Sequence, residues 1–305
     1  MNLALAQPMK SELPFTEREA DPAWSACRFL TCSVLPVRRA CNLNCPFCFS
    51  KSSVSALGSE AANWGAIDLA RYFDFSARRG AQRLVITGGG EPLLLPEVVL
   101  RIIREGRRWF NEIACFTNGT YLTQELAREL DAVGLSYLCW SRHHDDDDRC
   151  RKLMGAGAPS RDDFFAAAEG LRIRATCVMT RGAVESLDDA ERYMRTMHAC
   201  GVREFTFKHT YVAYRQSVLG ESRQNHWAMN HRIALDPFGD QGNIVGNLPW
   251  GPRIRLLDDK KVCFYFEPDP DWEKENQLCR SINLLSDGSV YASLEDRRSL
   301  LYRQN

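Results

Sequence analysis

The sequence predicts an α/β fold in which a parallel sheet is covered by helices. Three observations lead to this prediction: strand-like and helix-like runs alternate, six such strands follow one another, and 305 residues suffice for a large core. Parallel strands need crossover helices, which this alternation supplies. Six units do not fill an eight-stranded barrel, so a partial barrel and an open sheet are the candidates. In both, ligands bind at the carboxyl ends of the strands.

The strand-like runs are short and rich in apolar residues. They cover residues 31–38, 83–87, 112–117, 136–140, 173–180 and 204–208. The helix-like runs repeat apolar residues at helical spacing, and they cover residues 64–77, 96–110, 124–133, 161–171 and 187–199. Pro96 suits the first turn of the second helix, whose apolar residues form one stripe between Val98 and Trp109. Ser186 precedes the last of these helices as an N-cap residue.

Composition and charge exclude several classes of protein. The formal net charge is zero and the pI is about 7.0, which argues against a nucleic-acid-binding protein. The amino terminus lacks the charged region of a signal peptide, and no run of 18 apolar residues occurs, so a cytoplasmic protein without a membrane span is expected. Nine of the twelve cysteines are scattered singly, which indicates a reducing compartment and buried apolar positions.

Three cysteines stand apart from the others. Cys41, Cys45 and Cys48 have the spacing C-x3-C-x2-C and follow the first strand, at the end where this kind of fold places its chemistry. A structural zinc site would need a fourth ligand, for which Cys27 and Cys32 are candidates, but no second C-x2-C pair exists. The alternative is a [4Fe–4S] cluster held by three thiolates. Such a cluster has one iron with an open coordination position, as a catalytic site requires.

These residues resemble the signature of a known family. The three cysteines, with Phe47 before the last of them, resemble the cysteine motif of the radical SAM superfamily. The Gly-Gly-Glu run at 89–91, after the next strand, resembles the GGE motif of that superfamily. The resemblance covers about residues 30–210. It implies a partial (β/α)6 TIM-like barrel, one [4Fe–4S] cluster and S-adenosylmethionine (SAM).

The resemblance also implies roles for individual residues. Each thiolate would bind one iron, and the fourth iron would chelate the amino and carboxylate groups of SAM. Contacts with SAM are implied for Phe47 near the adenine, for Gly89, Gly90 and Glu91 at the methionine amino group, and for Asn118 and Ser141 after the third and fourth strands. In the superfamily, the reduced cluster cleaves SAM to a 5′-deoxyadenosyl radical, which removes a hydrogen atom from the substrate. A nonpolar lumen would suit such a radical.

On this basis we expect three regions, namely an N-terminal extension (1–28), the radical SAM partial barrel (29–212) and a C-terminal substrate-capping region (213–305). In the last region, residues 214–261 show little periodicity. Two strand-like stretches follow at 261–268 and 281–293, the second a hairpin that turns at Asp287 and Gly288. The cap is therefore expected to contain β-strands.

Polar residues at two other strand ends are candidates for substrate contact. They are Arg142 and His143 after the fourth strand, and Lys208, His209 and Tyr211 at the end of the sixth. Cationic side chains there suit anionic or hydroxylated substrate groups. Further candidates, from their position in the tail, are Glu267, Asp287, Tyr291 and Ser293. The acidic run at 145–148 indicates a solvated loop rather than a metal site.

The predicted function is reductive cleavage of SAM and hydrogen abstraction from a small molecule, with a nucleoside, nucleotide or sugar favoured. A second cluster is not expected, because Ala292 and Ser293 stand where relatives often carry a cysteine. A peptide-modifying enzyme and an activase of a glycyl-radical enzyme are the alternatives within the superfamily, and a zinc-stabilised binding module is the alternative outside it. An electron donor such as flavodoxin or ferredoxin is the expected protein partner.

Overall fold

The structure is a computed structural model that describes residues 20–57, 63–212, 221–233 and 236–304. In this part of the chain, a sheet of twelve strands forms the centre of the fold. Eight of its strands run parallel. Side chains from all eight line one cavity, so the sheet curves around a lumen. The predicted partial barrel of parallel strands is confirmed.

The elements are numbered in chain order. The strands are β1 (Arg28–Phe29), β2 (Thr31–Leu35), β3 (Arg83–Ile86), β4 (Ile113–Thr117), β5 (Tyr137–Ser141), β6 (Ile173–Met179), β7 (Glu204–His209), β8 (Asn243–Asn247), β9 (Arg253–Leu257), β10 (Lys260–Tyr265), β11 (Leu278–Cys279), β12 (Ile282–Leu285), β13 (Ser289–Tyr291) and β14 (Leu300–Arg303). The α-helices are α1 (Leu69–Arg78), α2 (Pro96–Gly106), α3 (Gln124–Ala132), α4 (Asp147–Met154), α5 (Arg161–Ala167), α6 (Leu187–His198), α7 (Arg223–His231) and α8 (Pro270–Glu275). All six predicted strands (β2 to β7) and all five predicted helices are present.

Capping side chains and apolar stripes explain where these helices begin and which face they bury. α1 begins at Leu69, later than predicted, because the Asp68 carboxylate accepts a hydrogen bond from the Arg71 N–H at 2.9 Å. Ser186 caps α6 as predicted, in a reciprocal capping box with Asp189. The stripe of α2 packs on the sheet, with its central residues fully buried in the main core.

The acidic run at 145–148 is not the solvated loop that the sequence predicted, because it starts α4. The Asp146 carboxylate caps this helix and accepts a hydrogen bond from the Arg149 N–H at 2.8 Å. Asp147 and Asp148 lie in the first turn, where the helix dipole favours negative charge. The helix therefore uses the charge run as its amino-terminal signal.

Two strands from beyond residue 213 extend the barrel wall rather than cap it. β10 pairs in parallel with β7, and β12 pairs in parallel with β2. Among the described residues no hydrogen-bonded ladder joins β10 to β12. Instead, Arg280 before β12 forms an ion pair with Glu267 after β10, so that side chains close the gap between the strands.

The remaining four strands of this sheet form antiparallel pairs at its two edges. In the order of the sheet, β9 and β8 lie beyond β10, while β13 and β14 lie beyond β12. The predicted hairpin at Asp287 and Gly288 joins β12 to β13, and Gly288 adopts the left-handed conformation with φ 78°.

Residues 1–19 of the predicted N-terminal extension lie outside the described residues. Residues 20–28 pack on the barrel, where Trp24 is fully buried and β1 pairs in parallel with β11. In the ranges that the structure describes, none of the helices combines the length and apolar character needed to cross a membrane.

Candidate active site

Two loops meet at the carboxyl ends of β2 and β3. The cysteine loop spans residues 36–48 and carries Cys41, Cys45 and Cys48. The glycine turn spans residues 87–91 and includes the Gly-Gly-Glu run. Because β2 and β3 are adjacent parallel strands, the loops that follow them lie side by side. The sheet thus brings together two motifs that are about 40 residues apart in the sequence.

Backbone hydrogen bonds join the two loops. The Gly89 N–H donates to the Val37 carbonyl at 3.1 Å, and the Glu91 N–H donates to the Ala40 carbonyl at 2.8 Å. A methyl group at Gly90 would lie under 3.0 Å from the Ala40 carbonyl oxygen, closer than real Cβ contacts. Glycine is needed here because the backbone of the cysteine loop crosses directly over the turn.

The three thiols of the cysteine loop form no disulfide. Cys41 is exposed, whereas Cys45 and Cys48 are half-buried. Burial raises the pKa of both Cys41 and Cys45, and the neighbouring Cys48 thiol raises them further. A bound iron would reverse this effect, since metal coordination deprotonates a thiol. Three soft sulfur donors without a carboxylate or imidazole suit an iron–sulfur cluster.

Within the described ranges, no three His, Cys, Asp or Glu side chains are grouped so that they could hold a single metal ion. The predicted cluster does not require such a grouping. Its three thiolates would each bind a different iron, so their sulfur atoms need not converge on one point.

Helix α4 and the turn after β4 support the cysteine loop. Leu43 packs against Met154 of α4, and the Asn44 N–H donates to the Met154 carbonyl at 2.9 Å. The Asn118 side-chain amide donates to Cys41 Sγ at 3.7 Å and to the Asn42 side-chain oxygen at 3.0 Å. Hydrogen bonds to ligand sulfurs tune iron–sulfur centres, so Asn118 is well placed beside the predicted cluster.

A buried arginine anchors the start of the same loop to the C-terminal hairpin. The Arg38 guanidinium is 2% exposed and forms an ion pair with Asp287. It also donates to the Val54 carbonyl at 3.0 Å. The loop is thereby fixed to β12 and β13 as well as to the glycine turn.

Glu91 is 2% exposed, and three donors surround its carboxylate. It accepts hydrogen bonds from the Leu93 N–H at 3.0 Å, the Thr117 hydroxyl at 2.6 Å and the Asn118 N–H at 2.8 Å. Burial raises the pKa of Glu91, and these hydrogen bonds oppose that effect. The side chain ties the glycine turn to the end of β4. Its contact with the methionine amino group stays a prediction.

An aromatic wall stands beside the cysteine loop. Phe47 packs edge-on to His143, with ring centroids 4.8 Å apart, and against Trp227 of α7 at 5.8 Å. His143 Nδ1 accepts a hydrogen bond from the Val178 N–H at 3.0 Å, which leaves the proton of the neutral ring on Nε2. Burial, together with the charge of Lys208, lowers the pKa of His143 to about 3. The wall is therefore uncharged at neutral pH.

The lumen encloses a cavity of about 300 Å³. Its charged lining residues are Arg83, Arg174, Glu204, Lys208, Lys261, Glu267 and Arg280. The lining also contains apolar side chains such as Val85, Phe116 and Phe205, so charged and apolar residues share the lumen. Several of these partly enclosed charges are paired, as Arg174 is with Glu204 at 2.7 Å. Thr87 and Gly88 also line the cavity, so the glycine turn forms part of its wall.

Among the predicted substrate residues, Lys208 lines this cavity and Tyr211 lies behind its rim. The Tyr211 ring packs edge-on to Phe49, a lining residue, with centroids 4.7 Å apart. His143 does not line the cavity, because it packs against Phe47.

Arg142 and His209 also lie away from the cavity, contrary to the prediction. Arg142 is 1% exposed and pairs with Asp147 at 2.6 Å, and the His209 imidazole contacts the Ile233 carbonyl at 2.6 Å. Side chains alternate between the two faces of a strand. Ser141 and Lys208 face inward, so Arg142 and His209, which follow them, point outward. Ser141 is the half-buried last residue of β5, and its contact with SAM stays a prediction.

Several lining residues were missed because they come from the tail. They are Trp250, Tyr265 and Arg280. Of the four tail candidates, Glu267 lines the cavity, whereas Asp287, Tyr291 and Ser293 do not. The residue alternation that begins at Lys261 could have predicted Tyr265, since every second residue of β10 faces the lumen.

Comparison with known proteins places these features in context. A family model described as the Radical SAM superfamily matches residues 35–197. An AdoMet-dependent heme synthase from Methanosarcina barkeri is 32% identical over 124 residues, which is 41% of this chain and 31% of that protein. An Fe-coproporphyrin III synthase from the same organism is 30% identical over 142 residues, which is 44% of this chain and 31% of that protein. The matched segments thus span less than a third of each of these curated relatives.

A solved structure supports the same architecture. Streptococcus suis SuiB, bound to its precursor peptide SuiA, superimposes with a TM-score of 0.56 at 13% identity. The match covers 92% of this chain and 62% of that one. At this identity the likeness concerns the fold alone.

Proposed function

Because the chain belongs to the radical SAM superfamily, we propose that Cys41, Cys45 and Cys48 hold its [4Fe–4S] cluster and that its substrate is a small molecule bound in the lumen. As an enzyme of this superfamily, the chain uses a [4Fe–4S] cluster and SAM. The observation that carries the proposal is the position of three free thiols against the glycine turn. The same turn lines the cavity, so the cofactor and the substrate would meet across it.

When bound, the cluster and SAM would together supply a 5′-deoxyadenosyl radical that can remove a hydrogen atom from the substrate. The chain itself binds and orients the reactants. Gly89 and Gly90 would present backbone groups to the methionine end of SAM, and Phe47 would lie beside the adenine. Asn118 and Ser141, at the ends of adjacent strands, would complete the contacts.

Glu91 would act on the same site through positioning. Its carboxylate already accepts three hydrogen bonds, from the Leu93 N–H, the Thr117 hydroxyl and the Asn118 N–H. We therefore propose that it fixes the glycine turn and the Asn118 turn relative to each other. Contact with the SAM amino group would be made largely by the backbone of the turn.

The size of the cavity and its charged lining residues support a small, polar substrate such as a nucleoside, nucleotide or sugar. A volume of about 300 Å³ lies at the lower end of the range for small-molecule sites. That favours such a metabolite over the tetrapyrroles that the names of the two curated relatives imply. The charged lining residues suit a molecule that is itself polar or ionised.

Modification of a peptide is the alternative substrate class within the superfamily. SuiB, whose structure contains a precursor peptide, shares the fold with this chain. A peptide that copurifies with the protein would favour this alternative. In either case, we propose that a flavodoxin or ferredoxin reduces the cluster.

Anaerobic reconstitution of the full chain with iron and sulfide tests the proposal. We expect about four irons per chain, and an electron paramagnetic resonance signal of the reduced protein that changes when SAM is added. Zinc in the purified protein, with no iron uptake and no spectral response to SAM, would instead support a zinc-stabilised module and contradict the proposal.

A further inference from the structure

One part of the cavity is surrounded by charged and aromatic side chains from β7, from β10 and from the segments next to β8, β10 and β12. Lys208 is the last inward-facing residue of β7, and it pairs in register with Tyr265 of β10. Glu267 follows β10, and Arg280 precedes β12. Trp250, from the turn between β8 and β9, also lines the cavity and hydrogen-bonds to the Phe266 carbonyl at 2.8 Å.

Arg280 and Glu267 compensate each other's charge. They form an ion pair, and Glu267 Oε2 also accepts a hydrogen bond from the Tyr265 hydroxyl at 2.7 Å. Arg280 lies 3.4 Å from a second carboxylate, that of Glu295. The guanidinium thus has two acidic partners of its own.

Lys208 differs from Arg280 in its surroundings. Its Nζ lies 3.9 Å from Glu267 Oε1, which is beyond hydrogen-bonding distance. The same atom stands over the rings of Tyr265 at 5.1 Å and Phe116 at 5.8 Å, which stabilise a cation but give it no oxygen acceptor. Across the described ranges, no group accepts a hydrogen bond from Lys208. Its side chain is 31% exposed, and it lines the cavity.

An ammonium group has three N–H donors, and an oxyanion in the cavity could accept hydrogen bonds from them. Partial burial lowers the pKa of Lys208, and the nearby Glu267 carboxylate opposes that effect. The carboxylate nearest to Lys208 is that of Glu267, which already forms an ion pair with Arg280. An oxyanion is therefore the ligand group that would complement Lys208.

We propose that the ammonium group of Lys208 binds an oxyanion of the substrate, a carboxylate or a phosphate, inside the lumen. This inference rests on the proposed function, which places the substrate in this cavity. In the order of the sheet, β7 stands four strands away from β3, so Lys208 faces the glycine turn across the lumen. An oxyanion held at Lys208 would orient the rest of the molecule towards the turn.

Titration calorimetry on the reconstituted full chain tests this inference. The probes are inorganic phosphate, glutarate and uncharged glutaramide. We expect the wild type to bind phosphate or glutarate and not glutaramide. The anion that binds tells a phosphate-bearing substrate from a carboxylate-bearing one.

Three variants locate the binding site. Lys208→Met should weaken anion binding by at least about tenfold, since a partly enclosed charge contact is worth more than 1.4 kcal/mol. Lys208→Arg should retain binding because it keeps the charge. Lys152→Met removes an exposed lysine of α4 and should bind like the wild type. Equal binding by Lys208→Met, equal binding of glutaramide, or no binding of either anion by the wild type would each overturn the inference.

Formation of 5′-deoxyadenosine by the wild type and by Lys152→Met is measured in the same preparations. If both form it while Lys208→Met binds anions normally, only the oxyanion site is wrong. If neither forms it, the proposed function itself fails, whatever the anions do.

Discussion

Replacing Gly90 with alanine should displace the cysteine loop from the glycine turn. The new methyl group would lie under 3.0 Å from the Ala40 carbonyl oxygen, and its next neighbours are also backbone atoms of Ala40. No side-chain rotation relieves a contact between two backbones. The loop must therefore move away from the turn.

The cost of this movement follows from the contacts that it breaks. Two backbone hydrogen bonds hold the loops together, Glu91 to Ala40 and Gly89 to Val37, and each contributes about 1 kcal/mol. Overpacking adds about 1–3 kcal/mol. We expect the free energy of unfolding to fall by about 3–5 kcal/mol, a large share of the about 5–15 kcal/mol typical of a protein. Cluster uptake should fall with it.

Urea unfolding and iron content after reconstitution measure both effects. Gly246→Ala is the matched control, because its methyl group would lie 3.7 Å from an Ile254 side-chain carbon, an ordinary contact. This control should remain within about 0.5 kcal/mol of the wild type and take up the same amount of iron. A Gly90→Ala protein with the stability and iron content of that control would refute the account of the glycine turn.

Four further predictions concern residues around the same site. Cys45→Ala should abolish both iron uptake and SAM cleavage, and full iron content would remove the thiol from the cluster. Glu91→Ala leaves three hydrogen-bond donors without their acceptor, so the variant should lose about 2–4 kcal/mol of stability. It should retain the cluster but bind SAM more weakly. Unchanged affinity for SAM would mean that Glu91 does not act on the cofactor. Arg142→Met breaks the ion pair with Asp147, which lies outside the lumen. The variant should be less stable but should bind substrate as the wild type does. A raised KM at unchanged stability would contradict the placement of Arg142 outside the substrate site. The pKa of His143 is lowered to about 3 from an ordinary value of 6.5, so between these two pH values only the unfolded chain takes up the proton. The free energy of unfolding should therefore fall as the pH drops from 6.5 towards 3. His143→Gln should reduce this pH dependence, and an unchanged profile would contradict the lowered pKa.

The sequence was most informative where the determinants are local. The alternation of apolar patterns predicted β2 to β7 and their helices, because each element depends on residues within a few turns of itself. The cysteine loop and the glycine turn were predicted for a similar reason. Each motif directly follows a strand, and adjacent parallel strands bring such loops together.

The cavity could not be predicted in the same way, because distant segments form it. β12 pairs with β2 although about 250 residues separate them, and β10 pairs with β7 across a stretch of low periodicity. No local pattern specifies such a pairing. The misplacement of Arg142 and His209 is different in kind, since strand alternation in the sequence already indicated that they face away from the lumen.

Cys41, Cys45 and Cys48 are proposed to hold the cluster at which SAM is cleaved. The most direct test is to incubate the reconstituted wild type and Cys45→Ala anaerobically with dithionite and SAM, and to measure 5′-deoxyadenosine by chromatography. We predict that the wild type forms 5′-deoxyadenosine and that the variant does not. Equal formation by both proteins, or none by a wild type that has taken up iron, would contradict the account.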